Sequence, residues 1–222
     1  MRQYAARVLE REREQVAAAC TRLAAEGLVV GTAGNVSVRA GEHVVVTPTG
    51  GVFGQMVAHD MAVIDMAGEL VDGEHGPTSE LGLHLSLYEQ MNAGAVVHTH
   101  APFATALSCV VDEVPAIHYQ MLQVGGSLKV APYATFGTEE LAANVRRALE
   151  GRTACLMQNH GAVGYGHDLD YAVESALLVE WACRLYWTAR AIGTPSTLTD
   201  EQLQDVAAQV ARLGYGQKKS VA

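Results

Sequence analysis

The spacing of apolar residues changes period several times along the chain, and each change marks an element. Arg2 to Glu26 carries Val8, Val16, Cys20 and Leu23 broadly on one side, which predicts a helix stopped at Gly27. GTAGNVSVR (from Gly31), HVVVTPTGG (from His43) and AVIDMAGELVDG (from Ala62) alternate short β-rich runs with turn clusters and predict an antiparallel meander. PTSELGLHLSLYEQM (from Pro77) fits two periods. Leu81, Leu83, Leu85 and Leu87 alternate like a strand, whereas Leu81, Leu85 and Tyr88 fit a helix. The length of the segment and its Pro77-Thr78-Ser79 start favour the helix. AVVHTH, ending at His100, reads as a buried strand, and Pro102 to Cys109 reads as helical. Strand-like runs follow at Ala116–Tyr119 and Leu128–Pro132. Thr138 caps a helix through Leu149 that Gly151 ends, and ACLMQNHGAVGYG (from Ala154) is a further strand pair. Asp170 opens a long helix closed by Gly193 and Pro195; a last helix covers Asp200 to Leu213, before a polar tail. This order predicts an α plus β domain with a mixed or mostly antiparallel sheet layered with helices.

Composition narrows the functional classes. At 222 residues, with 49% apolar and 18% charged, the chain has the material for one well-buried domain. A net charge of -9 with no basic stripe argues against a nucleic-acid partner. No apolar run is long enough to span a bilayer, and the charged N-terminus does not read as a signal peptide, so no membrane role is expected. Cys20, Cys109, Cys155 and Cys183 form no CxxC pair and read as reduced residues of a cytoplasmic protein.

The chemistry concentrates in a few places. His98 and His100 lie one residue apart at a strand end, so their side chains leave the same face about 6.5–7 Å apart. Such a pair is either polar punctuation or one jaw of a metal site. His160, in NHG at the end of an apolar run, and Glu80, at a helix start, would complete a four-coordinate site with a displaceable carboxylate. The remaining histidines, His84 and His118 among them, read as surface or hydrogen-bonded residues. Gly31-Thr32-Ala33-Gly34-Asn35, Thr47-Pro48-Thr49-Gly50-Gly51 and Thr78-Ser79 offer backbone N–H groups and hydroxyls that can hold a phosphate without a lysine; each alone is also an ordinary turn. Lysines are confined to Lys129, Lys218 and Lys219, so carbonyl chemistry points to a metal Lewis acid in preference to a Schiff base.

The ordered set GTAGNVSVR, TPTG, TSE, VVHTH, PAIHY, APYATFGT and NHG resembles the class II (zinc-dependent) aldolase/adducin family nearly end to end, most closely its members acting on L-fuculose 1-phosphate. The resemblance implies an α/β fold: one α/β/α-layered domain with a largely antiparallel central sheet, assembled as a homotetramer with active sites between subunits. It implies one Zn²⁺ per subunit on His98, His100 and His160, with Glu80 as a fourth ligand that substrate displaces and that then moves a proton. It implies a phosphate pocket from Thr32, Asn35, Thr49, Gly50, Thr78 and Ser79, and Phe136 on the aldehyde side. Tyr119 would act from the neighbouring subunit as an acid, and Tyr215 would close over the site as part of a C-terminal lid, residues 214–222. The implied activity is reversible cleavage of a 1-phosphorylated ketose to dihydroxyacetone phosphate and a small aldehyde such as L-lactaldehyde. The chain departs from the family pattern in Thr78, where a serine is usual, in Asn159, where a histidine is usual, and in its tail. Alternatives within the fold are an L-ribulose-5-phosphate 4-epimerase, against which Glu80 and Thr47 speak, and a methylthioribulose-1-phosphate dehydratase. A non-catalytic adducin-like module is disfavoured by the retained histidines.

Overall fold

The apolar run ending in His-x-His becomes β5 (Ala95–Thr99), and every residue of it is buried. The structure, a computed structural model, describes residues 2–214, with side chains from Leu9 onward. β5 lies between β1 (Asn35–Ala40) and β9 (Gly161–Gly166), antiparallel to both. Beyond β1 the expected meander is present: β2 (His43–Val46), β3 (Ala62–Asp65) and β4 (Leu70–Asp72) pair in sequence order. Beyond β9 lie β8 (Ala154–Met157), β7 (Leu128–Ala131) and β6 (Glu113–Val114). The nine-stranded order is therefore β4-β3-β2-β1-β5-β9-β8-β7-β6, antiparallel except for β7 against β8.

Strand alternation sorts the helices into two layers. Val36, Val38, Val45, Ala95, Val97 and Leu156 face one way, against α1 (Arg2–Ala25), α3 (Pro102–Ser108) and α5 (Leu169–Ile192). Val44, Val46, Ile64, Val96, Met157 and Val163 face the other way, against α2 (Leu81–Gln90) and α4 (Glu139–Ala148). Two apolar faces on one sheet need covers on both, which gives a single α/β domain with helices around a mostly antiparallel sheet. α6 (Asp200–Leu213) packs outside this sandwich, against the 3₁₀ helix Tyr119–Val124. Among the described residues no helix is long and apolar enough to cross a membrane.

Two local expectations need correction. Ala116–Tyr119 is not a strand. β6 stops at Val114 because Pro115 has no N–H to continue a ladder, Ala116 gives its carbonyl to Leu198 N (2.7 Å), and Tyr119 already opens the 3₁₀ helix. The cap of α5 is Asp168, whose carboxylate accepts from Tyr171 N at 2.8 Å; Asp170 lies inside the first turn.

The sheet topology brings one edge into focus. β1 begins, β2 ends, β5 ends, β8 ends and β9 begins along the same edge, as the pairings Ser37 with Val46, Asn35 with His98, Thr99 with Ala162 and Met157 with Gly161 require. Gly161 lets the start of β9 approach β5 closely: a Cβ there would lie 2.3 Å from the Thr99 carbonyl oxygen. That oxygen is backbone in the centre of the sheet and has nowhere to go. Gly161→Ala is therefore expected to cost about 1–3 kcal/mol, the range for overpacking a tight interior, measured as a lower urea midpoint with an unchanged slope.

Candidate metal centre and active site

His98 is the last but one residue of β5, and His100 lies just beyond the strand, so the two rings are free to lean together. Their centroids are 4.7 Å apart, and their Nε2 atoms 3.0 Å apart, much closer than the backbone spacing. His160 joins them from the three-residue turn between β8 and β9, with its ring 4.9 and 5.0 Å from the other two. The middle residue of that turn, Asn159, adopts a left-handed conformation (φ 55°), which its short amide side chain tolerates. His160 N closes the turn onto the Met157 carbonyl at 3.1 Å.

The donor set fits a divalent metal. His98 donates Nδ1–H to the Ala162 carbonyl (2.9 Å), which fixes its tautomer and turns Nε2 toward the cluster. Ligand atoms of His98, His100 and His160 all lie within 4.8 Å of one another. Lone pairs converging this closely are stable only around positive charge. Three imidazoles with a fourth position left to a carboxylate or substrate is a donor arrangement suited to catalytic zinc.

Glu80 supplies the carboxylate. It is the N-cap residue of α2 and is buried, with Oε2 3.1 Å from His98 Nε2 and accepting from Asn35 Nδ2 at 2.9 Å. Its Oε1 lies 3.5 Å from His160 Nε2 and has no hydrogen-bond partner among the described residues. Burial alone would push this carboxyl up, but the charge and hydrogen bond of His98, the Asn35 amide and His160 hold it well below the usual carboxylate range. His98 is raised: burial opposes its charge, and the Glu80 carboxylate and the Ala162 carbonyl outweigh that. His100 is pushed down to about 4 by burial and by the charges of His98 and His160; burial and His98 lower His160 also. In sum the cluster accommodates one buried anion and one positive centre beside it.

The turns singled out for phosphate gather along the same edge. Thr49 N donates to the Gly76 carbonyl (3.1 Å) and Thr78 N to the Thr47 carbonyl (3.0 Å), which stitches the turn after β2 to the segment leading into α2. Thr32, Thr49, Gly50 and Ser79 are exposed, while Thr78 and Asn35 are buried. Thr78 Oγ1 accepts from Glu80 N at 3.3 Å. A cavity of about 290 Å³ is lined by Thr49, Gly50, Gly51 and His75, with Asp60 at its wall turned toward Val57 N. The loop after β7 closes in from the other side. Gly137 (φ +75°) has space for a Cβ only 2.9 Å from the Ser79 carbonyl, and Phe136 beside it is exposed.

Tyr119 does not join this group within one chain. It is half exposed, stacks on His118 (4.6 Å) and lines an apolar groove of about 720 Å³ with Val206, Val210 and Leu213 of α6. Tyr215 lies outside the described residues. Lys129 is far from acting as a nucleophile: it pairs with Glu113 at 2.6 Å on the β6–β7 edge.

Sequence reading passed over three residues behind Glu80. His84, Ser37 and Tyr88 are fully buried and hydrogen-bonded in series. The available signal was spacing: Glu80, His84 and Tyr88 recur every four residues on one helix face, opposite Asn35 and Ser37 two apart on a strand.

The model of the class II aldolase and adducin N-terminal domain matches residues 14–187. A 5-methylthioribulose-1-phosphate/5-deoxyribulose-1-phosphate aldolase of Rhodospirillum rubrum is 41% identical over 182 residues, 81% of this chain and 82% of that protein. The L-fuculose phosphate aldolase of Escherichia coli is 40% identical over 192 residues, 85% of this chain and 89% of its own. A solved L-fuculose 1-phosphate aldolase superposes with a TM-score of 0.86 at 34% identity, covering 90% of this chain and 96% of that one. With the motif set, the fold and these matches in agreement, the chain belongs to the class II aldolase and adducin family, as an aldolase.

Proposed function

We propose that the chain cleaves a ketose 1-phosphate reversibly into dihydroxyacetone phosphate and a small aldehyde, using one zinc ion per subunit. The observation that carries this reading is a buried Glu80 whose two carboxyl oxygens lie 3.1 Å from His98 Nε2 and 3.5 Å from His160 Nε2, beside three convergent imidazoles. The three substrates named for the relatives, L-fuculose phosphate, 5-methylthioribulose 1-phosphate and 5-deoxyribulose 1-phosphate, share the phosphorylated half and differ in the aldehyde they release.

His98, His100 and His160 would hold the metal, with Glu80 occupying the fourth position until substrate arrives. A bound divalent cation supplies Lewis acidity toward the carbonyl end of the ketose, where negative charge develops. Thr32, Asn35, Thr49, Gly50, Thr78 and Ser79 would hold the phosphate through neutral donors; the amide of Asn35 keeps a second N–H for this while its first serves Glu80. In cleavage the C3–C4 bond breaks, the C4 hydroxyl gives up its proton as the aldehyde forms, and a proton is delivered to C3. Glu80 would move the C3 proton, removing it in condensation and returning it in cleavage. Phe136 would line the aldehyde side.

Tyr119 is read as the acid on the aldehyde oxygen, and its exposed position beside an apolar groove is what a residue serving a neighbouring subunit requires. The same reading includes a homotetramer with active sites between subunits, and residues 214–222, Tyr215 among them, as a lid. A cytoplasmic setting agrees with four free cysteines, three of them buried.

A panel of ketose 1-phosphates scored for dihydroxyacetone phosphate release tests the activity, and the aldehyde formed fastest names the substrate. No release from any member, by metal-loaded protein, would sink the reading. Chelation is expected to abolish cleavage and added Zn²⁺ to restore it, with metal content by mass spectrometry near one per chain. Glu80→Gln keeps the size and removes the base, so turnover should fall about 10²–10⁴-fold, while folding and metal content persist on the three imidazoles.

A further inference from the structure

Behind Glu80 runs a single file of buried groups in direct hydrogen-bonding contact. Asn35 Nδ2 meets Glu80 Oε2 at 2.9 Å, Asn35 Oδ1 meets His84 Nε2 at 2.5 Å, Ser37 Oγ meets His84 Nδ1 at 2.6 Å, and Ser37 Oγ meets Tyr88 OH at 2.5 Å. Asn35, His84, Ser37 and Tyr88 are at most 3% exposed. The file exists because two periods match. Four residues of helix rise about 6 Å and two residues of strand about 6.5–7 Å, so Glu80, His84 and Tyr88 step past Asn35 and Ser37 nearly in phase.

The chemistry of the groups forces one direction on the file. An ionised carboxylate only accepts, so the atom of Asn35 that meets it is the NH₂. Asn35 Oδ1 then accepts, and the hydrogen of the His84 ring sits on Nε2. The ring is fully buried and its hydrogen-bond partners, Asn35 and Ser37, are both neutral, so burial keeps it uncharged. Nδ1 is therefore an acceptor and takes the Ser37 hydroxyl, and Ser37 accepts from Tyr88. Turning Asn35 over would set two acceptor oxygens 2.9 Å apart in a dry interior, a large penalty for an unsatisfied charge.

We infer that His84, held by Ser37 and Tyr88, is a positioning residue that orients Asn35 so that its NH₂ meets Glu80, committing Oε2 to the protein and leaving Oε1 as the oxygen that moves the proton. This rests on the reading of Glu80 as the proton-transfer group. It gives the orphaned Oε1 a reason: the file supplies exactly one donor, and supplies it to the other oxygen.

The direct test needs no substrate. In metal-bound protein labelled with ¹⁵N in its imidazoles, the His84 signal, assigned by its loss in His84→Gln, is expected to show the neutral ring with hydrogen on Nε2. Hydrogen on Nδ1, or a cationic ring at neutral pH, would overturn the inference whatever the enzyme acts on. The kinetic test uses two variants. His84→Leu removes the donor to Asn35 and should lower turnover per bound metal by about tenfold or more, since small misplacements of a reacting group cost up to 10²-fold. KM and competitive inhibition by inorganic phosphate should change less than turnover, because Asn35 is one phosphate donor among six. His84→Gln restores an N–H toward Asn35 and should return turnover to within about threefold of wild type, roughly 0.7 kcal/mol. Equal losses in both variants that follow their losses of melting temperature or metal would make the file structural and overturn the proposal. Should His84→Leu fail to fold, Ser37→Ala is the substitute: without the hydroxyl that holds Nδ1, the ring should show both tautomers, and an unchanged tautomer with unchanged turnover would again overturn it. Full activity of Glu80→Gln would instead defeat the proton-transfer reading and leave the NMR result standing.

Discussion

The structure turns on an ionised carboxylate taken out of water. Glu80 is 6% exposed, and an isolated carboxylate in such a place would protonate or unfold its surroundings. It stays charged because His98 and Asn35 meet one oxygen and a positive centre can sit beside the other. Everything nearby serves that arrangement. β5 carries His98 to the edge of the sheet, β1 brings Asn35 opposite it, and the start of α2 drops Glu80 between them.

Such placement is affordable only on a rigid frame. The central strands are buried on both faces, and the two helix layers keep water from either side of the sheet. Loops leaving this frame are then pinned individually. Gln158 Oε1 accepts from Tyr133 N at 3.0 Å and Gln158 N donates to the Ala131 carbonyl, which ties the turn bearing His160 to the loop bearing Phe136. Glu180 on α5 accepts from Phe103 N and Ala104 N at 3.0 and 2.9 Å, which anchors the start of α3 immediately after His100. Charge at a helix N-terminus here fixes the chain next to a candidate metal ligand.

The histidine cluster and the file behind Glu80 address different parts of one problem. The imidazoles gather charge at a point, and the file decides which way a neighbouring carboxylate presents its oxygens. On the proposed function the two depend on each other: the metal position would bind substrate but needs an oriented base, and the base needs a positive centre for the charge developing on the ketose. Their common origin is the strand edge where β1, β5 and β9 begin or end together.

Period and punctuation in the sequence determined most of the elements. The meander, the caps at Thr138 and Thr199, the stop at Gly193 and the strand pair around NHG follow from local rules that operate within a few residues. Local rules failed at Ala116–Tyr119, where strand-like residues follow a proline and pair with no strand among the described residues. Residue types also named His98, His100, His160 and Glu80 as candidate ligands, because their donor atoms have few other uses at such positions. Convergence was a different matter: the pairing of β5 with β9, the close approach at Gly161 and the meeting of His160 with His98 join segments more than sixty residues apart, to which no local period is sensitive. The same holds for His84. On its helix it is one histidine among leucines, and only the packing of α2 against β1 made it the link between Ser37 and Asn35.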